Sequence, residues 1–433
     1  MKLLFLGMGY VGLVSAVGYA RHGHDCYCID VNPKRIETLK KGKSPIFEEG
    51  IEAALTDTIT AKRLHFGNTP EDYLEGVAAV FICVGTPQTD KGTANLSYLF
   101  QAVHTLGKIA KEPLTLIIKS TVPIGTNRQI SEMLKTEYPN KRFTVLSNPE
   151  FLKEGTALQD FDNPDRIVVG SFDGSASLLL EEINAEFMQT GCPILACNWE
   201  TAETVKYAAN AFLATKITFI NEFSRFCEAT GANVHLVAKG IGLDPRIGSD
   251  FLRPGPGYGG SCFPKDTRAV AYAARDADTK LSLVEAVIAS NEEHKQAMVA
   301  KIEAALGGEI AGKSIAIWGL AFKAHTDDMR EASALTIVPA LLKHGALLSL
   351  YDPQAMDNAC MLLGDKPFYA PSAEEAAQNA DLICVLTEWP EFKAVPLTIF
   401  KGRILVDLRS LFDRETIHKA GGYYIGLGEG TRL

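Results

Sequence analysis

The 433-residue sequence has no Cys-x-x-Cys pair and no His-x-x-x-His, although it carries nine cysteines and nine histidines. The cysteines, at positions 26, 28, 83, 192, 197, 227, 262, 360 and 384, are scattered and odd in number. That argues against a disulfide framework or a zinc site and for a reducing compartment, the cytoplasm. His22 and His24 form the one close histidine pair, and their spacing does not suit a metal-binding helix, so no metal is expected. An excess of basic charge is also missing: 43 Lys and Arg stand against 52 Asp and Glu, a net charge of -9, which argues against nucleic acid as the main partner. Low-complexity tracts are absent, and a composition of 46% hydrophobic and 22% charged residues is that of a soluble globular protein. The length suits two or three domains. Only one long uncharged run exists, residues 3–20, which follows Lys2 and imitates a signal peptide or membrane anchor. It contains Gly7, Gly9 and Gly12, and a second reading of it removes the membrane from the expected partners.

In that second reading KLLFL is a strand, GMGYVG a glycine turn and LVSAVGYARHG a helix stopped by Gly23. DCYCID is a second strand ending in Asp30, 18 residues after Gly12. Strand, Gly-x-Gly-x-x-Gly, helix, strand and acid in this order form a dinucleotide-binding pattern. The glycines allow a tight turn, close approach to a pyrophosphate and close helix packing, while the helix N-terminus faces the phosphates. Gly7, Gly9, Tyr10, Val11 and Gly12 are therefore candidate cofactor contacts. Asp30 would accept from the adenosine ribose hydroxyls and repel a 2'-phosphate, so NAD rather than NADP is expected; Arg35, five residues on, is the residue that counts toward NADP and a further candidate cofactor contact.

Buried-strand patterns follow at VAAVFICVGTP, PLTLIIKSTVPIGT and RFTVLSNPEFLKEG, each a continuous apolar run as in strands covered on both faces. Ligands of such sheets bind beyond the strands' carboxyl ends, which brings Thr86, Thr121 and Glu150 toward one end. From Thr201 to Gly231 a proline-free stretch predicts a long helix, a spine between two domains, with Lys206 and Asn210 four apart on one face. Helical patterns continue to about Leu306. AGKSIAIWGLAFK, LLSLYDP, NADLICVLTEW and GRILVDLRS then repeat the strand rhythm, without Gly-x-Gly-x-x-Gly but with Lys323 placed for a phosphate. The expected fold is α/β, with two Rossmann-like doubly wound domains joined by a central helical segment with a long spine helix. The expected boundaries are 1–198, 199–306 and 307–433. Between the halves lies GYGGSCFPKD, in which glycines precede Cys262, Pro264 fixes the following turn and Asp266 stands four residues on.

The ordered set GMGYVG, NPEFLKEG, VKYAANAFLATKI, RIG with GYGGSCFPKD, and GLAFK with TDDMRE resembles the UDP-glucose/GDP-mannose dehydrogenase family over essentially the whole chain. The resemblance implies oxidation of a sugar nucleotide's primary alcohol to a carboxylate, with two hydrides passed to two NAD molecules. It assigns Cys262 as the thiol that adds to the intermediate aldehyde and carries a thioester. Lys206 would stabilise oxyanions and favour the thiolate, Asn210 and Asp266 would orient a water or the lysine, and Glu150 with Thr121 would position water. Which of Lys206, Asp266 and Glu150 acts as base in each half-reaction stays open. Besides the glycine-turn residues, Asp30 and Arg35, the implied cofactor contacts are Thr86, Thr121 and Glu154, with Lys265 and Arg330 as cations. The implied substrate set is Phe151, Leu152, Lys153, Glu154, Lys206, Asn210, Phe251, Leu252, Gly259, Phe322, Lys323 and Arg409, with Arg246 reaching the sugar across a dimer boundary. For Arg409 ordinary surface charge is the alternative, since LVDLRS departs from the family's Asp-Gly-Arg.

Within the family, Gly-Gly-Ser-Cys rather than Gly-Gly-His-Cys favours UDP-glucose over UDP-N-acetylhexosamines, and the lead GPGYGG disfavours GDP-mannose. A sugar-nucleotide-binding protein without turnover would be expected to lack the cysteine or the lysine, and this chain has both.

Overall fold

Residues 1–89 and 92–430 are described by a computed structural model. The chain divides into two compact units: Met1–Ala209 with Arg275–Ala277, and Asn210–Ala274 with the chain from Asp278 onward.

The first unit is built on eight strands: β1 (Lys2–Leu6), β2 (Asp25–Ile29), β3 (Leu64–Gly67), β4 (Ala79–Ile82), β5 (Leu114–Ile118), β6 (Phe143–Ser147), β7 (Ile167–Ser171) and β8 (Ile194–Asn198). Their order is β3-β2-β1-β4-β5-β6-β7-β8. Neighbours are parallel, with Leu3 beside Cys26 and Ala79, except that β7 meets β6 antiparallel at Ser147 and Gly170. Successive side chains of a strand point to opposite faces. Leu3 and Phe5 therefore join Leu13, Val17, Cys26, Cys28 and Phe81 on one side. Leu4 and Leu6 join Val80, Ile82, Leu116 and Ile118 on the other. Both faces are covered, which is why these strands read as unbroken apolar runs; each fully buried Leu or Phe contributes about 1.5–3 kcal/mol.

The apolar run at residues 3–20 is thus divided between β1 and the helix Tyr10–Arg21, and both are core. No helix among the described residues is long and apolar enough to cross a membrane. The turn between strand and helix requires its glycines. Gly7 has φ 93°, and a Cβ on Gly12 would stand 1.9 Å from the Gly7 carbonyl oxygen.

The spine helix spans Trp199–Thr230, 32 residues. It begins two residues before the expected Thr201 because Asn198 Oδ1 accepts from the Thr201 amide at 3.0 Å, a capping contact. Gly231, with φ 77°, follows its last residue. Three further helices, Val234–Gly242, Phe263–Asp276 and Ser282–Ala305, precede a second sheet. That sheet holds β9 (Ser314–Trp318), β10 (Leu347–Tyr351), β11 (Phe368–Tyr369), β12 (Leu382–Val385), β13 (Ile404–Asp407) and β14 (Tyr423–Gly426), in the order β11-β10-β9-β12-β13-β14. All its pairings are parallel. Ile315 and Ile317 face one core and Ala316 and Trp318 the other, so both halves solve burial by the same alternation.

Candidate active site and cofactor cradle

In the first unit the glycine turn delivers the chain into Tyr10–Arg21 with Gly9 at the N-cap and no side chain capping the helix. The first-turn amides therefore have no side-chain acceptor at the cap, which fits an anionic group such as a pyrophosphate. Asp30, at the end of β2, is oriented by three contacts. Its Oδ2 accepts from the Met8 amide at 2.8 Å and from Arg35 at 3.0 Å, and its Oδ1 accepts from the Asn32 amide at 2.9 Å. Tyr10 turns away from this edge, and its hydroxyl bonds the buried Glu48 carboxylate. Glu48 also accepts from the Gly155 and Ala157 amides, each at 2.7 Å. Burial and the neighbouring carboxylate raise the Tyr10 phenol above its ordinary range. Glu48 thereby couples the glycine-turn helix to the segment after Glu154, a link without local sequence signal.

The carboxyl ends of β4, β5 and β6 carry the second cluster. Thr86 Oγ1 donates to the Thr121 carbonyl at 2.8 Å, so its hydroxyl holds one loop against the next. Glu203 on the spine helix accepts from the Gly125 amide at 2.5 Å and the Asn127 amide at 2.8 Å, fixing the start of the helix Thr126–Glu137. Burial raises the Glu203 carboxyl above its usual range. Glu150 Oε1 lies 2.9 Å from Lys206 Nζ, and both side chains are buried, at 6% and 4% exposure. Glu150 Oε2 accepts from the Leu152 amide at 2.6 Å. Burial opposes ionisation of Glu150, but the Lys206 ammonium, the Leu152 amide and Lys119 together bring it below the ordinary carboxylate range. Phe151 lies under Arg166 at 3.7 Å and near Lys206 at 5.4 Å. Lys153 pairs with Asp160 at 2.9 Å, which anchors its backbone as well.

The second unit holds the cysteine. Cys262 is half-buried, its Sγ 3.4 Å from Ser261 Oγ. Its carbonyl accepts from the Asp266 amide at 2.8 Å, so it stands at the mouth of the helix Phe263–Asp276, where the helix dipole is positive. Asp266 is 1% exposed. Its Oδ2 accepts from Asn210 Nδ2 at 2.7 Å, and its Oδ1 pairs with Lys265 at 2.7 Å. The loop before the cysteine is held by residues that sequence reasoning did not single out. Asn221 accepts from the Gly255 amide, Asn291 bonds both the amide and carbonyl of Tyr258, His294 bonds the Gly255 carbonyl at 2.8 Å, and Ser333 donates to the Pro256 carbonyl. Burial pushes the His294 imidazole down to about 4, which keeps it neutral in this cradle at neutral pH. A Cβ on Gly259 would stand 2.5 Å from the Glu331 carbonyl oxygen, so this glycine is set by close backbone approach.

The expected substrate residues of this unit fall in several environments. Phe251 adopts φ 63°, left-handed for a non-glycine residue, and its ring lies 6.1 Å from that of Phe263. Leu252 is core. Arg246 pairs with Asp244 and is 87% exposed, whereas Arg330 pairs with Asp328. Lys323 Nζ lies 5.6 Å from the Phe322 ring. Arg409 is neither surface charge nor free, since its guanidinium donates to the Leu386 and Phe322 carbonyls, each at 2.9 Å, and meets Glu388 at 3.1 Å. It braces the loop that carries Lys323.

The expected reaction residues are thus distributed over both units: Thr121, Glu150, Phe151, Leu152, Lys153, Glu154 and Lys206 in the first, Asn210, Cys262, Lys265 and Asp266 in the second. Lys206 and Asn210 occupy successive turns of the spine helix.

Three domain families match in order: the NAD binding domain of the UDP-glucose/GDP-mannose dehydrogenase family at residues 1–188, its central domain at 200–293 and its UDP binding domain at 316–414. A UDP-glucose 6-dehydrogenase of Rhizobium meliloti (strain 1021) is 44% identical over 435 residues, covering 99% of both chains. The solved UDP-glucose dehydrogenase of Pyrobaculum islandicum is 35% identical, with a TM-score of 0.92 over 99% of this chain and 98% of its own. A UDP-D-ManNAc dehydrogenase from Pyrococcus horikoshii is 28% identical, with a TM-score of 0.86 over 99% of this chain and 100% of its own. On the full-length match and the dinucleotide cradle together, the chain belongs to the UDP-glucose/GDP-mannose dehydrogenase family.

Proposed function

We propose that the chain oxidises C6 of UDP-glucose to the carboxylate of UDP-glucuronate. The single observation that carries this is the buried Lys206–Glu150 ion pair at the carboxyl end of the nucleotide-binding sheet, where a charged pair so far from water points to function. The 44% identity to a UDP-glucose 6-dehydrogenase supports the sugar.

NAD, when bound, accepts each hydride. The chain's own groups do the rest. A base, Lys206, Asp266 or Glu150 acting directly or through water, takes the hydroxyl proton as the first hydride leaves C6, giving the aldehyde. The Cys262 sulfur then adds to C6, and Lys206 stabilises the oxyanion that forms. Loss of the second hydride leaves a thioester. Water activated by Glu150 and Thr121 breaks the sulfur–carbon bond, returning the thiol and releasing the carboxylate. Asp30 orients the adenosine ribose, while Phe151–Glu154, Phe251, Phe322 and Lys323 enclose the sugar nucleotide.

The chain assembles as a homodimer through its spine helix in this reading. Phe212, Phe219, Phe223 and Phe226 lie exposed along the helix, an apolar row on a face otherwise in water, and Arg246 would extend into the partner's sugar site.

Two NADH per UDP-glucose consumed, with UDP-glucuronate as product, is the expected stoichiometry. One NADH per sugar, or equal rates with GDP-mannose or a UDP-N-acetylhexosamine, would overturn the assignment. Cys262→Ser should keep substrate binding and lose roughly 100-fold or more in turnover, because serine is a weaker nucleophile toward the aldehyde and the oxygen ester it forms is hydrolysed more slowly than a thioester. Wild-type turnover in that variant would end the thioester scheme.

A further inference from the structure

A second lysine lies buried beside the ion pair. Lys119 ends the apolar run of β5, and its backbone amide bonds the Ile82 carbonyl at 3.0 Å. Its side chain does not reach solvent, the residue being 7% exposed. Among the described residues its Nζ has one hydrogen-bond acceptor, Asn148 Oδ1, at 3.0 Å. Asn148 is itself pinned, its amide to the Ile118 carbonyl at 2.9 Å and its Nδ2 to the Val168 carbonyl at 2.9 Å. Lys119 therefore holds the first residue of the Asn148-Pro149-Glu150 turn from below.

Burying an ammonium against a neutral amide is costly, and it is not how a lysine adds stability. Burial disfavours its charged form and brings it below the ordinary lysine range, while Cys83 and Glu150 favour the ammonium and Lys206 opposes it. Cys83 does not balance the charge, because burial pushes its thiol up to about 12. The cluster thus contains two lysines and one carboxylate.

We propose that Lys119 is a positioning residue of the oxidation site: its Nζ, bonded to Asn148, fixes the turn that presents Glu150 and sets a second positive charge beside that carboxylate. The excess positive charge also leaves the cluster ready for an anion developing on the substrate. Lys119 acts through Glu150 and touches no reacting atom. This rests on the reading of Glu150 as the water-activating group.

The experiment compares Lys119→Met, Lys119→Gln and Lys119→Arg in the full chain, measuring kcat and KM between pH 5 and 10 with the sugar nucleotide that the wild type turns over. Gln can still donate to Asn148 but carries no charge, and Arg keeps the charge. In Met and Gln the acid limb of kcat should move up by about one pH unit and kcat at neutral pH should fall about 10-fold, with both KM values within about threefold. Arg should restore the limb. An unchanged acid limb in Gln would overturn the proposal, and so would Arg behaving like Gln. If Met unfolds, the Gln and Arg pair decides. Failure of UDP-glucose as substrate overturns the assigned function and leaves the Lys119 comparison readable.

Discussion

The two sheets begin alike and end their first turns differently. In each, a central strand runs into a left-handed glycine, Gly7 after β1 and Gly319 after β9, with φ 93° and 89°. In each, the next strand ends in an aspartate, Asp30 and Asp352. After Gly7 the helix starts at Tyr10, so its first amides face outward. After Gly319 no helix begins until Ala334. The amides of Leu320 and Ala321 instead donate to Asp352 Oδ2, at 2.7 and 3.0 Å, and Trp389 Nε1 adds a third bond at 3.1 Å. Both aspartates are buried, Asp352 at 1% and Asp30 at 6% exposure, but Asp30 pairs with the partly exposed Arg35. Both carboxylates accept an amide of their own glycine turn, Met8 for Asp30 and Leu320 with Ala321 for Asp352, but only Asp30 also meets an arginine among the described residues. Sharing a fold therefore does not mean sharing a ligand geometry.

The largest break in this comparison should come from Asp352→Ala. It strands buried amides and an indole N–H, and should cost at least ~3 kcal/mol of stability, seen as a lower urea midpoint. Asp30→Ala should behave in the opposite way. Its stability cost should stay near ~1 kcal/mol, while KM for NAD rises roughly 10-fold or more through loss of the ribose contact. If the two variants lost equal stability, the division between a structural and a ligand-facing aspartate would not stand.

The same contrast explains what could be read in advance. Gly7, Gly12 and Asp30 were legible because a turn, a close packing and a strand end all lie within thirty residues of chain. The two sheets were legible because alternation over β1, β5 and β9 leaves both faces apolar. The short strands β3, β7, β8, β11 and β14 were not, since none carries a long apolar run and all but β7 are partly exposed. Cys262 and Asp266 stood out by spacing and family resemblance. Lys119 carries no signal of its own in the sequence, because its meaning depends on Asn148 and Glu150 from the next strand's loop. His294, Asn291 and Ser333 hold the cysteine loop from distant segments. Arg409 was weighed as a ligand or surface cation, but its carbonyl acceptors, Phe322 and Leu386, lie far away in sequence. Contacts of that range leave no pattern in composition or period.

The smallest effect, and the finest test of the two aspartates, concerns Arg35. Its guanidinium pairs with Asp30 at 3.0 Å, with 37% of the side chain exposed, whereas Asp352 accepts only from amides and an indole among the described residues. A half-exposed pair of this kind is worth ~1 kcal/mol or less. Stability and the KM for NAD should therefore change less than about threefold in Arg35→Ala. Arg35 is nonetheless the cation beside the carboxylate that repels a 2'-phosphate. Removing it leaves that repulsion unscreened, so the preference for NAD over NADP, measured as the ratio of kcat/KM values, should rise several-fold. A fall in that ratio would mean that Arg35 reinforces Asp30 in choosing NAD, and that the carboxylate by itself does not set cofactor choice.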